Sequence, residues 1–86
     1  MKYIVIERDY EEQMIVFPEY DAHIEVYNSI GGIKTLISAG FIMKIDSETL
    51  IFHGESFSLS KIFPHNYKSR PEQDRELYKS AEIRIN

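Results

Sequence analysis

The chain has 86 residues, of which 43% are hydrophobic and 13% aromatic; it contains no cysteine and carries a formal net charge of −4. One small domain spanning residues 1–86 is therefore predicted, without disulfides, thiolate metal ligands or a cysteine nucleophile. The acidic balance argues against a general nucleic-acid binder. Because the chain lacks both an apolar run of about 18 residues and a signal-peptide pattern, we expect a cytoplasmic protein.

Two strands are predicted at the start of the chain. Residues 2–7 are rich in β-branched side chains and indicate a first strand. Residues 13–17 indicate a second, which ends at Pro18 because proline cannot donate a hydrogen bond to a sheet. The short charged connection between them favours an antiparallel hairpin.

The next segment, residues 19–30, fits two patterns. Its apolar residues match one face of a helix, and part of the same segment also matches the alternation of a strand. Asp21 is a candidate helix cap, and Gly31 and Gly32 follow the last apolar residue. These flanking residues favour the helix.

A second hairpin is predicted from residues 35–46 and 50–55, with a turn at residues 46–49. Gly40 inside the third strand suggests a bulge or a close approach of another backbone. The core face of this strand is expected to carry every second side chain, namely Ile37, Ala39, Phe41, Met43 and Ile45.

A final helix is predicted to begin near Arg70. Ser69 and Glu72 have the spacing of a capping box, and Pro71 suits a first helical turn. Its apolar face is expected to carry Leu77, Tyr78, Ala81 and Ile85. The resulting order β-β-α-β-β-α predicts an α+β domain: one four-stranded antiparallel sheet with two helices on one face.

The charged residues are unevenly distributed along the chain. Residues 1–33 hold seven acidic and two basic residues, a net charge of −5, whereas residues 34–86 hold seven acidic and eight basic residues, a net charge of +1. Residues 56–70 are basic and rich in hydroxyl groups, and they contain no acid. Such a segment can contact an anionic ligand or a partner protein. The candidate ligand- or partner-binding residues are Lys61, His65, Tyr67, Lys68 and Arg70.

Other patterns that could carry chemistry are weak. Gly54, Ser56 and Ser58 match only half of a G-x-S-x-G nucleophile elbow, so we expect their hydroxyls to bond the local backbone. The three histidines lie far apart in the sequence and lack the spacing of zinc ligands. We predict no catalytic residue, no metal site and no cofactor, and hence a protein that is not an enzyme.

Three short motifs follow one another in the second half of the chain. They read SAGF at residues 38–41, GESFSL at residues 54–59 and SRPEQD at residues 69–74. Their order resembles that in a group of small phage and prophage proteins, mostly of unknown function. The resemblance implies an accessory phage protein in the cytoplasm of a bacterial host. By analogy with small acidic phage proteins, it also implies inhibition of a host defence system, such as an anti-CRISPR activity.

The predicted function is therefore binding to a host protein or protein complex, without catalysis and without a membrane. The alternative is a binder of a small anionic ligand, such as a nucleotide, that uses residues 56–70. The opposite charges of the two parts of the chain also suggest a homodimer.

Overall fold

The computed structural model describes residues 1–63 and 65–84, which form a mixed five-stranded sheet and three helices. The strand order is β4-β3-β1-β2-β5; β5 runs parallel to β2, and all other neighbours are antiparallel. An α+β domain is therefore confirmed, whereas the four-stranded antiparallel sheet with two helices is wrong in detail. The elements are β1 (Lys2–Arg8), β2 (Glu11–Phe17), α1 (His23–Ser29), β3 (Thr35–Lys44), β4 (Leu50–His53), α2 (Phe57–Ser60), α3 (Pro71–Tyr78) and β5 (Glu82–Ile83).

The two additional elements are short. Helix α2 has four residues and β5 has two, so neither shows a periodic pattern that sequence reasoning could recognise. Helix α3 ends at Tyr78, and the chain then joins the edge of β2, where the Arg84 N–H donates to the Val16 carbonyl at 2.8 Å. The predicted apolar helix face therefore does not continue to Ala81, and Ile85 lies outside the described residues. Within the described ranges, none of the helices is long and apolar enough to cross a membrane.

Helices cover both faces of the sheet, not one face as predicted. Residues 3–6 of the central strand β1 are all buried, so this strand needs apolar partners on each side. Helices α1 and α2 supply them on one face through Val26 and Leu59, and α3 supplies them on the other through Leu77 and Tyr78. The domain therefore has three layers and two apolar clusters.

The expected core face of β3 is wrong at its far end, where Met43 is 49% and Ile45 is 55% exposed. The ladder between β1 and β3 shifts register, because Val5 pairs with Ser38 and Ile6 pairs with Leu36. Ile37 is the extra residue of this bulge. Leu36 and Ala39, three positions apart, consequently join the same apolar cluster.

Gly40 was predicted to mark a bulge or a close backbone approach, and the second alternative is confirmed. A Cβ atom at this position would stand 2.6 Å from the His53 carbonyl oxygen and 3.2 Å from Ser69 Cβ. Gly40 therefore allows β3 to lie against both β4 and the segment that precedes α3.

The segment at residues 19–30 is helical between His23 and Ser29, which settles its ambiguity. Asp21 does not cap this helix. The cap position is Ala22, whose N–H donates to the Glu25 carboxylate at 3.3 Å. The turn at residues 46–49 is confirmed, since the Asp46 carboxylate accepts from the Glu48 and Thr49 N–H groups at 2.8 Å each.

The predicted capping box of α3 does not form. Arg70 takes the cap position and Pro71 the first turn, as predicted for the proline. The Ser69 hydroxyl lies 2.6 Å from the Tyr3 hydroxyl instead of capping the helix. The Arg70 N–H donates to the Asp74 carboxylate at 2.8 Å. Asp74, and not Glu72, is therefore the side chain that accepts from the backbone N–H at the cap position.

Candidate functional site

Both ends of residues 56–70 are attached to the same part of the sheet. The Ser56 N–H donates to the Tyr67 carbonyl at 2.9 Å, and the Ser69 N–H donates to the Gly54 carbonyl at 2.8 Å. The Ala39 N–H donates to the Lys68 carbonyl at 3.4 Å, so the returning chain lies beside β3. The segment is therefore a loop closed at its base, and Pro64 within it lies outside the described residues.

The serines at the start of this loop have structural roles: the expected bond to the local backbone forms at Ser56, whereas Ser58 bonds another helix. The Ser56 hydroxyl accepts from the Leu59 N–H at 3.2 Å and caps α2. The Ser58 hydroxyl accepts from the Ile24 N–H at 3.2 Å and so joins α2 to α1. The Ser60 hydroxyl donates to the Ser56 carbonyl at 2.7 Å. Each of the three hydroxyls therefore has a hydrogen-bond partner within the domain.

The five predicted site residues occupy two different environments. Lys61, His65 and Lys68 are exposed to solvent. Tyr67 is half-buried, with its ring packed edge-to-face on Phe63 at 5.6 Å between centroids. Arg70 points inward and makes ion pairs with Glu12 at 2.8 Å and with Asp74 at 2.9 Å. The exposed three residues are therefore available for a partner, whereas Tyr67 and Arg70 hold the loop in place.

Arg70 belongs to a buried polar cluster around Asp74. The Asp74 side chain is 0% exposed and accepts hydrogen bonds from the hydroxyls of Tyr3 at 2.6 Å and Ser38 at 3.0 Å. It also accepts from Arg70 Nε at 3.1 Å and Nη2 at 2.9 Å. A carboxylate only accepts, so the Tyr3 hydroxyl donates its one hydrogen bond to Asp74. The Ser69 hydroxyl therefore donates to the Tyr3 oxygen.

The charged and hydrogen-bonding groups of this cluster stabilise one another. Burial, followed by the hydrogen bond to Asp74, raises the pKa of the Tyr3 hydroxyl far above its ordinary value. Burial alone would lower the pKa of Arg70, but its bonds to Glu12 and Asp74 raise it. No buried side-chain nitrogen or oxygen of the described residues lacks a partner. The cluster therefore joins α3 to β1, β2 and β3.

Sequence reasoning missed the cluster because its members are far apart along the chain. In the sequence, Asp74 falls in the first turn of the final helix, where an acid is common because the helix dipole favours it. The signal present in the sequence is the spacing of Arg70 and Asp74, four residues apart, which places both on one side of a helix start. Tyr3 and Ser38 lie on two separate strands, and only the sheet brings them together.

The three motifs meet at this cluster. Ser38 of the first bonds Asp74 of the third, and Gly54 of the second bonds Ser69 of the third. Gly40 of the first motif leaves the space that the Ser69 side chain and the His53 carbonyl occupy. Each motif therefore has a structural role in this chain, and the resemblance to phage proteins stays a prediction.

His23 is buried and makes a structural bond. Its Nε2 lies 2.9 Å from the Gly40 carbonyl oxygen, so this nitrogen donates, and its ring packs edge-to-face on Phe17 and Phe41. Burial lowers the pKa of His23 to about 4, so the imidazole is neutral at pH 7. Among residues 1–63 and 65–84, no group of three or more histidine, aspartate or glutamate side chains is arranged to hold a metal ion.

The loop also carries apolar side chains, whose hydrophobicity favours burial in the core. Leu59 is 0% exposed and Phe63 packs on Tyr27, as expected. Phe57, however, is 73% exposed and Ile62 is 64% exposed. Lys61 lies one helical turn after Phe57, because its N–H donates to the Phe57 carbonyl at 3.2 Å. We call Phe57, Lys61 and Ile62 the α2 surface.

Comparison of the chain with family models, with curated proteins and with solved structures gave no match.

Proposed function

We propose that this protein acts by binding another protein through the α2 surface. The observation that supports this proposal is the exposure of Phe57 and Ile62. Phe57 lies one helical turn before Lys61, and Ile62 follows Lys61 directly. Single exposed apolar residues are common on protein surfaces. Phe57, however, is 73% exposed on the side of α2 opposite the fully buried Leu59. A polar residue in place of Phe57 would therefore cost the fold little stability.

The chemistry of the α2 surface indicates the kind of partner it fits. Binding energy at interfaces is concentrated in a few apolar and aromatic anchors that fill pockets, surrounded by polar residues. Phe57 and Ile62 can serve as such anchors, and Lys61 beside them favours a partner with an acidic rim. His65 and Lys68, exposed later in the same loop, extend the basic character.

Tyr67 and Arg70 support this function indirectly. The packing of Tyr67 on Phe63 and the ion pairs of Arg70 fix the base of the loop, which lowers the entropy lost when a partner binds. The alternative of a small anionic ligand would use Lys61 and Lys68 without a free Arg70 guanidinium. It stays a prediction, with no observation in its favour beyond the charge of the loop.

The resemblance to phage proteins suggests where to search for the partner. We place it in the cytoplasm of a bacterial host, and a host defence complex, such as a CRISPR effector, is the first candidate. This part of the proposal rests on the resemblance and on analogy.

The test uses the purified protein and a double variant, Phe57→Ser with Lys61→Glu. Tagged protein is used to capture partners from lysates of defence-positive bacteria, and the captured protein is then purified for calorimetry. We expect a stoichiometric partner whose affinity falls at least about 30-fold in the double variant, as for loss of an interface anchor. Tyr20→Ser, which alters a tyrosine that is 70% exposed elsewhere, is the matched control. Failure to recover any stoichiometric partner would contradict binding to another protein, and equal binding by the double variant would exclude the α2 surface.

A further inference from the structure

The turn between β1 and β2 displays a tyrosine in an unfavourable backbone conformation. Asp9 and Tyr10 both have positive φ angles, 54° and 66°, as in the two-residue turns that favour asparagine and glycine. A bulky side chain in the left-handed region is energetically unfavourable. Tyr10 is 99% exposed, so no packing within the domain offsets this cost. The side chain is therefore better explained by a contact outside the domain.

A second exposed apolar residue lies beside Tyr10. Ile33, in the connection between α1 and β3, is 95% exposed. Tyr10 and Ile33 line one shallow hollow of about 300 Å³, together with Glu7 and Asp9. We call Glu7, Asp9, Tyr10, Glu11 and Ile33 the hairpin tip.

The residues at and beside the hairpin tip carry a net negative charge, because Glu7, Asp9 and Glu11 outnumber Arg8 and Lys34. Among the described residues, Glu7, Asp9 and Glu11 make no ion pair. The neighbouring bases are engaged within the domain. Arg8 donates to the Gly31 carbonyl and the Gln13 side chain, and Lys34 donates to the Ile30 carbonyl at 2.6 Å. The tip therefore offers two apolar side chains beside three carboxylates and two bases, with a net charge of −1.

We infer that the hairpin tip binds the α2 surface of a second copy of this chain. The two surfaces are complementary in charge, with Glu7, Asp9 and Glu11 on one and Lys61 with the nearby Lys68 on the other. Each also has exposed apolar residues at its centre: Tyr10 and Ile33 on the tip, Phe57 and Ile62 on the α2 surface. A two-fold dimer would contain this contact twice and would be closed. The inference rests on the proposed function of the α2 surface and names a second copy as one of its partners.

The first experiment measures self-association of the full chain by sedimentation velocity over a range of concentrations, at low and high salt. We expect a dimer that dissociates as the salt concentration rises, because exposed charge pairs are screened. Tyr10→Gly should weaken the association at least tenfold and raise the melting temperature, since glycine relieves the strained turn. Tyr20→Ser should change the association less than twofold.

Tyr10→Gly is expected to weaken the association and to raise the melting temperature. These opposite effects distinguish the loss of a contact from damage to the fold. Unchanged association in a more stable Tyr10→Gly protein would overturn the inference. A wild-type chain that is monomeric at every concentration would also overturn it, while binding of a different protein to the α2 surface would remain measurable by calorimetry.

The second experiment reverses the charges on each side. One variant carries Glu7→Lys and Glu11→Lys, and the other carries Lys61→Glu and Lys68→Glu. Each variant alone should be monomeric, because its tip and its loop have the same sign. An equimolar mixture should form heterodimers, because unlike charges again face each other in both contacts. A mixture that stays monomeric would contradict the proposed pairing of surfaces.

Discussion

Gly40 lacks a side chain at a point where three parts of the chain meet. The His53 carbonyl oxygen would be 2.6 Å from a Cβ at this position, and this oxygen belongs to the backbone of the neighbouring strand, so it cannot move aside cheaply. The same space also separates β3 from Ser69, which begins the approach to α3. One missing methyl group thus allows the sheet and the base of the loop to close together.

We predict that Gly40→Ala lowers the free energy of unfolding by about 2–3 kcal/mol, in the range of overpacked core positions. Gly31→Ala is the matched control, because nothing lies within 4 Å of a Cβ there; it should change stability by less than about 0.5 kcal/mol. Urea unfolding of both variants measures the difference. Equal stability of the two would show that the β3–β4 contact yields easily.

The buried Asp74 carboxylate has the largest expected effect among the polar side chains. Asp74→Ala leaves the Tyr3 and Ser38 hydroxyls without their acceptor and removes one of the two ion pairs of Arg70. We expect a loss of about 3 kcal/mol, at the lower end for buried ion pairs because Arg70 keeps Glu12.

Asp74→Asn keeps the shape of the side chain and one acceptor oxygen, so a loss of about 1–2 kcal/mol is expected. Asp9→Asn, at an exposed turn where asparagine is favoured, should stay within about 0.5 kcal/mol. Identical stability of Asp74→Asn and Asp9→Asn in urea unfolding would mean that the buried cluster contributes nothing.

At the scale of elements, α2 depends on its cap because four residues cannot form a stable helix alone. The Ser56 hydroxyl is 0% exposed and accepts from the Leu59 N–H at 3.2 Å. Ser56→Ala should therefore cost about 1–2 kcal/mol and speed amide hydrogen exchange at Leu59. Ser47→Ala in the exposed turn of the second hairpin is the control. Unchanged exchange at Leu59 would refute the cap as the support of the α2 surface.

Long elements with clear patterns were predictable, and irregular ones were not. The β1–β2 hairpin follows from β-branched residues, a short turn and Pro18, and α3 follows from Pro71 and the apolar residues after it. The side-chain alternation along β3 failed at Ile37, because the bulge there changes the parity, and a bulge depends on the register of the partner strand. Helix α2 and β5 are too short to leave a periodic signal.

For the whole molecule, His23 predicts how stability depends on pH. Its pKa is about 4 in the folded protein against 6.5 as the reference value, so the unfolded chain binds more protons between these values. The contribution of neutral His23 to the free energy of unfolding is fully present above about pH 6.5. It is lost as the pH falls towards 4, and the total loss is up to about 3 kcal/mol.

His23→Gln preserves a donor for the Gly40 carbonyl and removes the titration, so it should flatten the dependence on pH above about 4.5, where most carboxylates remain charged. Asn28→Gln, an exposed substitution of a residue on the same helix that does not titrate, should leave the slope unchanged. Urea midpoints measured from pH 4.5 to 7.5 decide between the two. A slope that persists in His23→Gln would assign the dependence to other groups.

The candidate site was predicted only in part. Residues 56–70 form a loop that exposes Lys61, His65 and Lys68, in line with their polar side chains. Arg70 turns inward because Asp74 and Glu12 meet it, and Glu12 comes from a strand 58 residues earlier. The exposure of Phe57 and Ile62 was not predictable, since hydrophobicity alone does not tell which residues of a short helix face the sheet.

The sequence by itself determined the α+β class, the two hairpins and the start of the last helix, because these depend on local patterns of side chains along a few consecutive residues. Only the tertiary structure decided which helices cover which face, where β3 bulges and which polar groups surround Asp74. It also decided that Tyr10, Ile33, Phe57 and Ile62 remain exposed. These features depend on contacts between residues distant in the chain, and no local pattern encodes them.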